Sequence, residues 1–237
     1  MKKEDNLISI FIGYDFRERA ATNVLIDSIY QKSSIPVSIT PLVTSQLKKQ
    51  KLFYRDRDEN QSTDFSFTRF LVPNLMGYKG WAIFMDCDML CRIDISKLWS
   101  LREESKSLMC VKHNHNPKLE KKFLGEKQTK YQKKNWSSLM LFNCAKCKAL
   151  TIDYVNEASG LDLHQFKWLK DDSEIGDIND FGWNFLINVQ KLPENKEKVD
   201  QIPLLHWTLG GPWFKENSNL SEFDKEWFKA RNDSMKI

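Results

Sequence analysis

The sequence predicts an α/β protein built on a mostly parallel sheet, and three observations carry that prediction. Short β-rich apolar runs alternate with segments of helical spacing along most of the 237 residues, as in chains of βαβ units. Asp15, Asp86, Asp88, His113 and His206 all fall at or just after the end of such a run, and open α/β sheets bind ligands beyond the carboxyl ends of their strands. No internal repeat or low-complexity linker divides the chain, and its length suits one substantial core, so residues 1–237 read as a single domain.

Taken in order, ISIFIG (8–13) is a first strand that stops at Gly13, with Tyr14 and Asp15 following. Residues 18–30 have helical spacing, with Ala20, Val24, Leu25 and Ile29 on one face. IPVSITPL (35–42) alternates as a second strand, and the charged stretch 47–64 reads as a surface excursion. Residues 67–75 form a helix closed by MGYKG. WAIFM then runs as a strand buried on both faces and ends at Asp86. Residues 107–113 and 137–143 are further strands, joined by a lysine-rich connection. Helices are expected over 145–157, 181–189 and 222–231, and a last short strand over 202–207.

Composition narrows the function. With 41% hydrophobic and 12% aromatic residues the chain is globular rather than disordered. A net charge of +4, from 36 basic and 32 acidic residues, falls short of a nucleic-acid binder's concentrated basic face. No secretory signal and no run of membrane-spanning length is visible. Five cysteines, an odd number, argue for reduced thiols. The expected location is the cytoplasm.

The chemistry concentrates at Asp86 and Asp88. On extended backbone, residues i and i+2 point to one side, and two carboxylates at a strand mouth repel unless a cation lies between them. Mg²⁺ or Mn²⁺, hard ions with oxygen ligands that bridge to phosphates, suit that pair; a solvated polar turn is the plainer alternative. His206 opens HWTLGGPWF, where imidazole is an acceptable third ligand for Mn²⁺ and the Gly210 and Gly211 amides can line an anionic group. His113 and His115, flanking Asn114, are an alternative source of a third ligand. Lys130, Lys133 and Lys134 form either an anion-attracting run or a solvated face. Cys87, Cys91, Cys144 and Cys147 have spacings compatible with zinc, but Cys87 alternates with the two aspartates and should point away from them. Trp136, Trp183, Trp207 and Trp213 are expected in the core rather than as platforms.

DCD after an apolar strand, together with HWTLGGPWF, resembles the nucleotide-sugar glycosyltransferases of GT-A fold, family 8, the relatives of glycogenin and the galactosyltransferases. The resemblance covers most of the chain and extends to FIGYD, FTRFLVPNL and NWSSLMLFN; KNWSSLMLFNC and LHQFKWL resemble a bacterial subgroup. It implies a metal-dependent transferase that moves a sugar from a UDP-sugar, with retention, to an acceptor such as a glycan, a lipid-linked sugar or a small molecule. A donor-nucleotide half over residues 1–115 and an acceptor half over 116–237 would follow.

By the same resemblance Asp86, Asp88 and His206 hold the cation, Asp86 also meeting the ribose. Tyr14 and Asp15 meet the base, and Asn135, Ser137, Ser138 and Gly211 line the donor. Arg69 stabilises the departing diphosphate, and Asp177, Asp180 or Asn184 lies near the anomeric carbon. Two departures stand out. Gly-Gly-Pro-Trp replaces the family's lysine-bearing motif, leaving Lys215 as a substitute, and Ser137 and Ser138 occupy an Ala-Gly position. An inverting enzyme would instead need a carboxylate base such as Asp171, Asp172, Asp177 or Asp180. The remaining alternatives are a non-catalytic nucleotide-sugar-binding or scaffold protein and a nucleotidyltransferase, though FIGYDFRERAAT has a single glycine where the latter carries a Gly-rich phosphate loop.

Overall fold

A computed structural model describes residues 6–58, 61–113, 133–178, 182–215 and 221–236. The chain opens with β1 (Ile8–Gly13), α1 (Arg19–Lys32), β2 (Val37–Leu42), α2 (Thr44–Lys49) and α3 (Val72–Leu75). Then come β3 (Trp81–Met85), β4 (Met89–Cys91), α4 (Ser96–Ser100), β5 (Leu108–Cys110) and β6 (Leu139–Asn143). The remainder comprises α5 (Ile152–Glu157), α6 (Gly160–His164), β7 (Ile175–Asp177), β8 (Phe185–Leu186), α7 (Lys196–Asp200), β9 (Leu204–His206) and α8 (Glu222–Ser234).

Six strands form the main sheet in the order β2-β1-β3-β6-β5-β7, and β4-β9-β8 form a small second sheet. β3 and β6 are central, and β3 is buried at every residue, as a strand covered on both faces should be. β2 is an edge strand of alternating burial, which is why Pro41, without an N–H to give, is tolerated in it. The expectation of a mostly parallel sheet needs one correction: β6 runs antiparallel to both β3 and β5, while the β1–β2, β1–β3 and β5–β7 pairs are parallel.

Other expectations shift for local reasons. In α1 the buried face is Ala21, Val24, Leu25, Ser28 and Ile29, with Ala20 exposed. The helix expected over 67–75 is a 3₁₀ turn (Thr68–Leu71) running into α3. It closes through left-handed Gly77 and Tyr78, whose N–H groups reach back to Asn74 and Pro73. The helix expected over 145–157 starts only at Ile152, where Thr151 Oγ1 caps Tyr154 N–H. Before it, Cys144 and Cys147 spend their thiols on backbone carbonyls.

The helix expected over 181–189 is contradicted, residue 181 itself lying outside the described residues. Asn184 and Asn188 sit at φ of 63° and 62°, left-handed positions that asparagine tolerates and a helix does not. Between them β8 pairs parallel with β9. The stretch 47–64 is only partly a surface excursion, since Phe53 and Gln61 are buried. Among the described residues no helix is long and apolar enough to cross a membrane.

Candidate active site

Asp86 and Asp88 occupy the three-residue link between the two sheets. The main-sheet side is fixed by Asp86 N–H donating to the Ser138 carbonyl at 2.9 Å, one step beyond the Met85–Leu139 pair of β3 and β6. The small-sheet side is fixed by Trp207 N–H donating to the Asp88 carbonyl at 2.9 Å, next to the Met89–His206 pair of β4 and β9. His206 is distant in sequence, yet strand register delivers it to Asp88. Between the aspartates Cys87 turns into the core, fully buried, as alternation requires.

One ligand atom from each of Asp86, Asp88 and His206 lies within 4.8 Å of the others. The tautomer of His206 follows from its partners. The Asn135 carbonyl can only accept, and it takes the Ser138 hydroxyl proton at 2.6 Å and faces Asn184 Nδ2 at 3.4 Å. Ser138 Oγ, its proton spent, accepts from Asn184 Nδ2 at 2.9 Å. Asn184 therefore presents Oδ1 to His206 Nδ1 at 2.7 Å, so the imidazole proton sits on Nδ1. Nε2 then faces Asp88 Oδ1, 3.2 Å away, and in the neutral imidazole it offers that side a lone pair. A neutral imidazole and a carboxylate that close can share a cation, and two carboxylates with one imidazole suit Mn²⁺ or Mg²⁺. Asn184 orients the third ligand in the manner of an outer partner of a metal-binding histidine.

Arg69 approaches from the 3₁₀ turn and is 5% exposed. Its Nη1 lies 2.9 Å from Asp86 Oδ1 and donates to the Ser137 carbonyl at 2.8 Å. The guanidinium lies 5.3 Å and 5.0 Å from the Phe65 and Phe84 ring centres, and its Nε is buried without a hydrogen-bond partner among the described residues.

These groups open onto a cavity of about 390 Å³. Asp58, Gln61–Thr63, Phe65 and Phe67 line one part of it. Arg69, Asp86, Asp88, His206 and Thr208 line the metal side, and Lys134, Asn135, Ser137, Ser138 and His164 another. Both halves of the chain contribute. His164 comes from the end of α6, packs edge-on to Phe70 and shares a 2.8 Å hydrogen bond with the Ser137 hydroxyl. Sequence reasoning gave it no role, because only the Ser159 cap and the turn after α5 bring it there.

Other expected site residues lie elsewhere. Tyr14 and Asp15 are not on the cavity wall. Asp15 is fully buried, grips Arg17 through both carboxylate oxygens and accepts Asp64 N–H at 3.1 Å. Burial works to raise its pKa, but the hydrogen bonds of Arg17 and Asp64 and the charge of Arg17 outweigh it and hold the carboxyl below its ordinary value. Arg17 also donates to the Ser62 carbonyl, so the pair anchors the cavity-lining segment from behind.

Asp177 is exposed at the end of β7 and accepts Lys112 N–H; Asp180, His115 and Lys130 lie outside the described residues. Gly211 is buried, and a Cβ there would come within 2.2 Å of the Trp213 ring. Lys215 is exposed and off the wall. His113 is buried but outside the metal group. All five cysteines are free and buried, and no zinc-type cluster occurs among the described residues.

Behind the aspartates, Glu18 is 1% exposed. Burial first, then the charges of Asp88, Asp15 and Asp86, push its pKa well above the ordinary 4.5, while the Trp213 indole pulls the other way. The folded state thus keeps a proton that the unfolded chain releases, and stability from this group falls as pH rises above the unfolded value. In chelator, Glu18→Gln is expected to melt progressively higher than wild type as pH goes from about 5 to about 8. Scanning calorimetry showing a pH-independent gap would contradict this.

Comparison with known proteins agrees with the geometry. Residues 19–150 match the family described as Glycosyl transferase family 8. The chain is 47% identical over 207 residues to Protein CDI of Arabidopsis thaliana, covering 86% of this chain and 79% of that one. Its fold is similar to that of glycosyltransferase GlyE of Streptococcus pneumoniae TIGR4 (TM-score 0.59, 12% identity), covering 98% of this chain and spanning 61% of GlyE. The galactosyltransferase LgtC, solved in complex with donor and acceptor sugar analogs, is similar at a TM-score of 0.58 and 10% identity, over 97% of each chain. The chain belongs to glycosyltransferase family 8 and has the GT-A fold.

Proposed function

We propose that the chain is a metal-dependent enzyme that transfers a sugar from a UDP-sugar to an acceptor hydroxyl, with retention of configuration. The observation that carries the reading is the convergence of Asp86, Asp88 and His206, with Arg69 beside them, on one cavity. Those three residues would hold Mn²⁺ or Mg²⁺, which as a Lewis acid offsets charge growing on a departing diphosphate. A cavity of about 390 Å³ is within the range of small-ligand sites.

The bond that breaks joins the anomeric carbon to the β-phosphate oxygen, which leaves with the electron pair. The acceptor oxygen replaces it and gives up its proton to the departing diphosphate oxygen. Arg69, with its buried Nε as a further donor, stabilises the leaving oxygens. Asn135, Ser137, Ser138 and His164 offer amide, hydroxyl and imidazole groups to the sugar, and Asp15 holds the wall segment rather than the base. Five free cysteines favour a reducing compartment such as the cytoplasm.

Calorimetric titration with UDP, GDP and CMP, each with Mn²⁺ and with chelator, tests the reading. Metal-dependent binding of UDP alone is the expected result. Preference for GDP or CMP would change the donor, and binding of no nucleotide would overturn the proposal.

A further inference from the structure

Ser138 is held from two sides by asparagines in an uncommon conformation. Asn135 and Asn184 have φ of 66° and 63°, left-handed positions that asparagine enters more readily than most residues and that persist only where surrounding structure enforces them. Asn135 supplies a backbone carbonyl that accepts the Ser138 hydroxyl at 2.6 Å, and Asn184 an amide Nδ2 that donates to Ser138 Oγ at 2.9 Å. Asn184 Oδ1 then meets His206 Nδ1 at 2.7 Å. Ser138, Asn184 and His206 are all buried, so each link is made in an interior where a misplaced polar group is costly. The Ser138 carbonyl meanwhile accepts Asp86 N–H, a contact that any residue at 138 would provide. The hydroxyl is what this side chain adds.

The proton of a neutral imidazole can sit on either nitrogen. On Nε2 it would be donated to Asp88 Oδ1, 3.2 Å away, a charge-assisted contact that leaves this nitrogen no lone pair for an ion. On Nδ1 it leaves Nε2 able to coordinate. Asp88 alone thus favours the wrong tautomer, and the Asn184 amide decides against it only while Oδ1, not Nδ2, faces the ring. Without the Ser138 hydroxyl, Nδ2 keeps the Asn135 carbonyl at 3.4 Å, beyond the usual N–H···O range, and the amide loses the contact that fixes its direction. Resting on the metal-dependent reading above, we propose that Ser138 is a positioning residue for the cation: its hydroxyl sets the Asn184 amide, which holds the His206 proton on Nδ1 and keeps Nε2 open to the ion. The neighbouring Ser137 hydroxyl bonds to His164 instead, so the two serines are not interchangeable.

The test combines Mn²⁺ titration calorimetry with nitrogen NMR of the His206 ring in chelator, read in its neutral form and assigned against His206→Gln. Ser138→Ala is made in wild type and in an Asn184→Asp background, where an ionised carboxylate can only accept and so fixes the proton on Nδ1 without help from Ser138. Wild type is expected to carry the ring proton on Nδ1. Ser138→Ala should move it toward Nε2 and weaken Mn²⁺ binding about tenfold or more, the usual cost of losing a partner behind a metal-binding histidine. In the Asn184→Asp background the same change should cost little, the mark of residues acting as one unit. Unchanged Mn²⁺ affinity or an unmoved ring proton in Ser138→Ala would overturn the proposal while sparing the cation site, as would a wild-type proton on Nε2. Equal losses in the two backgrounds would also overturn it, since a damaged wall rather than a turned amide would then be the cause. Failure of wild type to bind Mn²⁺ would remove the metal-dependent reading and this one with it.

Discussion

Asp88→Asn is expected to lose Mn²⁺-dependent UDP binding and to lower sugar transfer at least about 10³-fold, because Lewis-acid stabilisation of a leaving group is worth several kcal/mol. The same change should leave the melting temperature equal or higher. Asp88 is buried beside Asp86 and near Glu18, so removing its charge relieves repulsion that the fold otherwise carries. Asparagine also brings a donor to a position 3.2 Å from His206 Nε2, whose lone pair can accept it. A folded, more stable and inactive protein is the signature of a metal ligand. A variant that still binds UDP only in the presence of Mn²⁺ would place the cation elsewhere, and a variant that unfolds would make Asp88 a structural residue. Calorimetry and a melting curve on the same sample separate these outcomes.

Arg69→Met should lower kcat about 10²–10³-fold, the usual cost of removing one preorganised donor from a developing oxyanion, with a smaller change in KM. Methionine keeps an aliphatic stem between Phe65 and Phe84, so the packing cost is limited. Its effect on the cation runs the other way. Arg69 competes for Asp86 Oδ1 from 2.9 Å, and its removal should leave Mn²⁺ affinity unchanged or tighter. Weaker metal binding alongside lower kcat would show that Arg69 acts by positioning Asp86 rather than by meeting the leaving group. Steady-state kinetics across a Mn²⁺ series distinguishes the two.

What could be read from sequence was governed by distance along the chain. The i, i+2 geometry of Asp86 and Asp88 is local, and so is the buried strand before them; both were legible. His206 was legible as a strand-end histidine with glycines after it, although only the β4–β9 register shows why it meets Asp88. Asn184 was expected beside the reacting carbon, but its place behind His206 depends on Ser138 and Asn135, which no spacing rule connects to it. The apolar spacing of FGWNFLINV mimics a helix, and only the left-handed asparagines reveal otherwise. Asp15 was legible as a strand-end carboxylate; its commitment to Arg17 and Asp64 was not.

The link that carries Asp86 and Asp88 is also the seam between two sheets, and the smaller one has, among the described residues, three short strands. A divalent ion bound there would join β3 on one side to β4 and β9 on the other, as a rivet joins two plates. Free energy released on binding the ion is therefore also free energy that resists parting the plates. Filling the ion site and fastening the seam would then be one event.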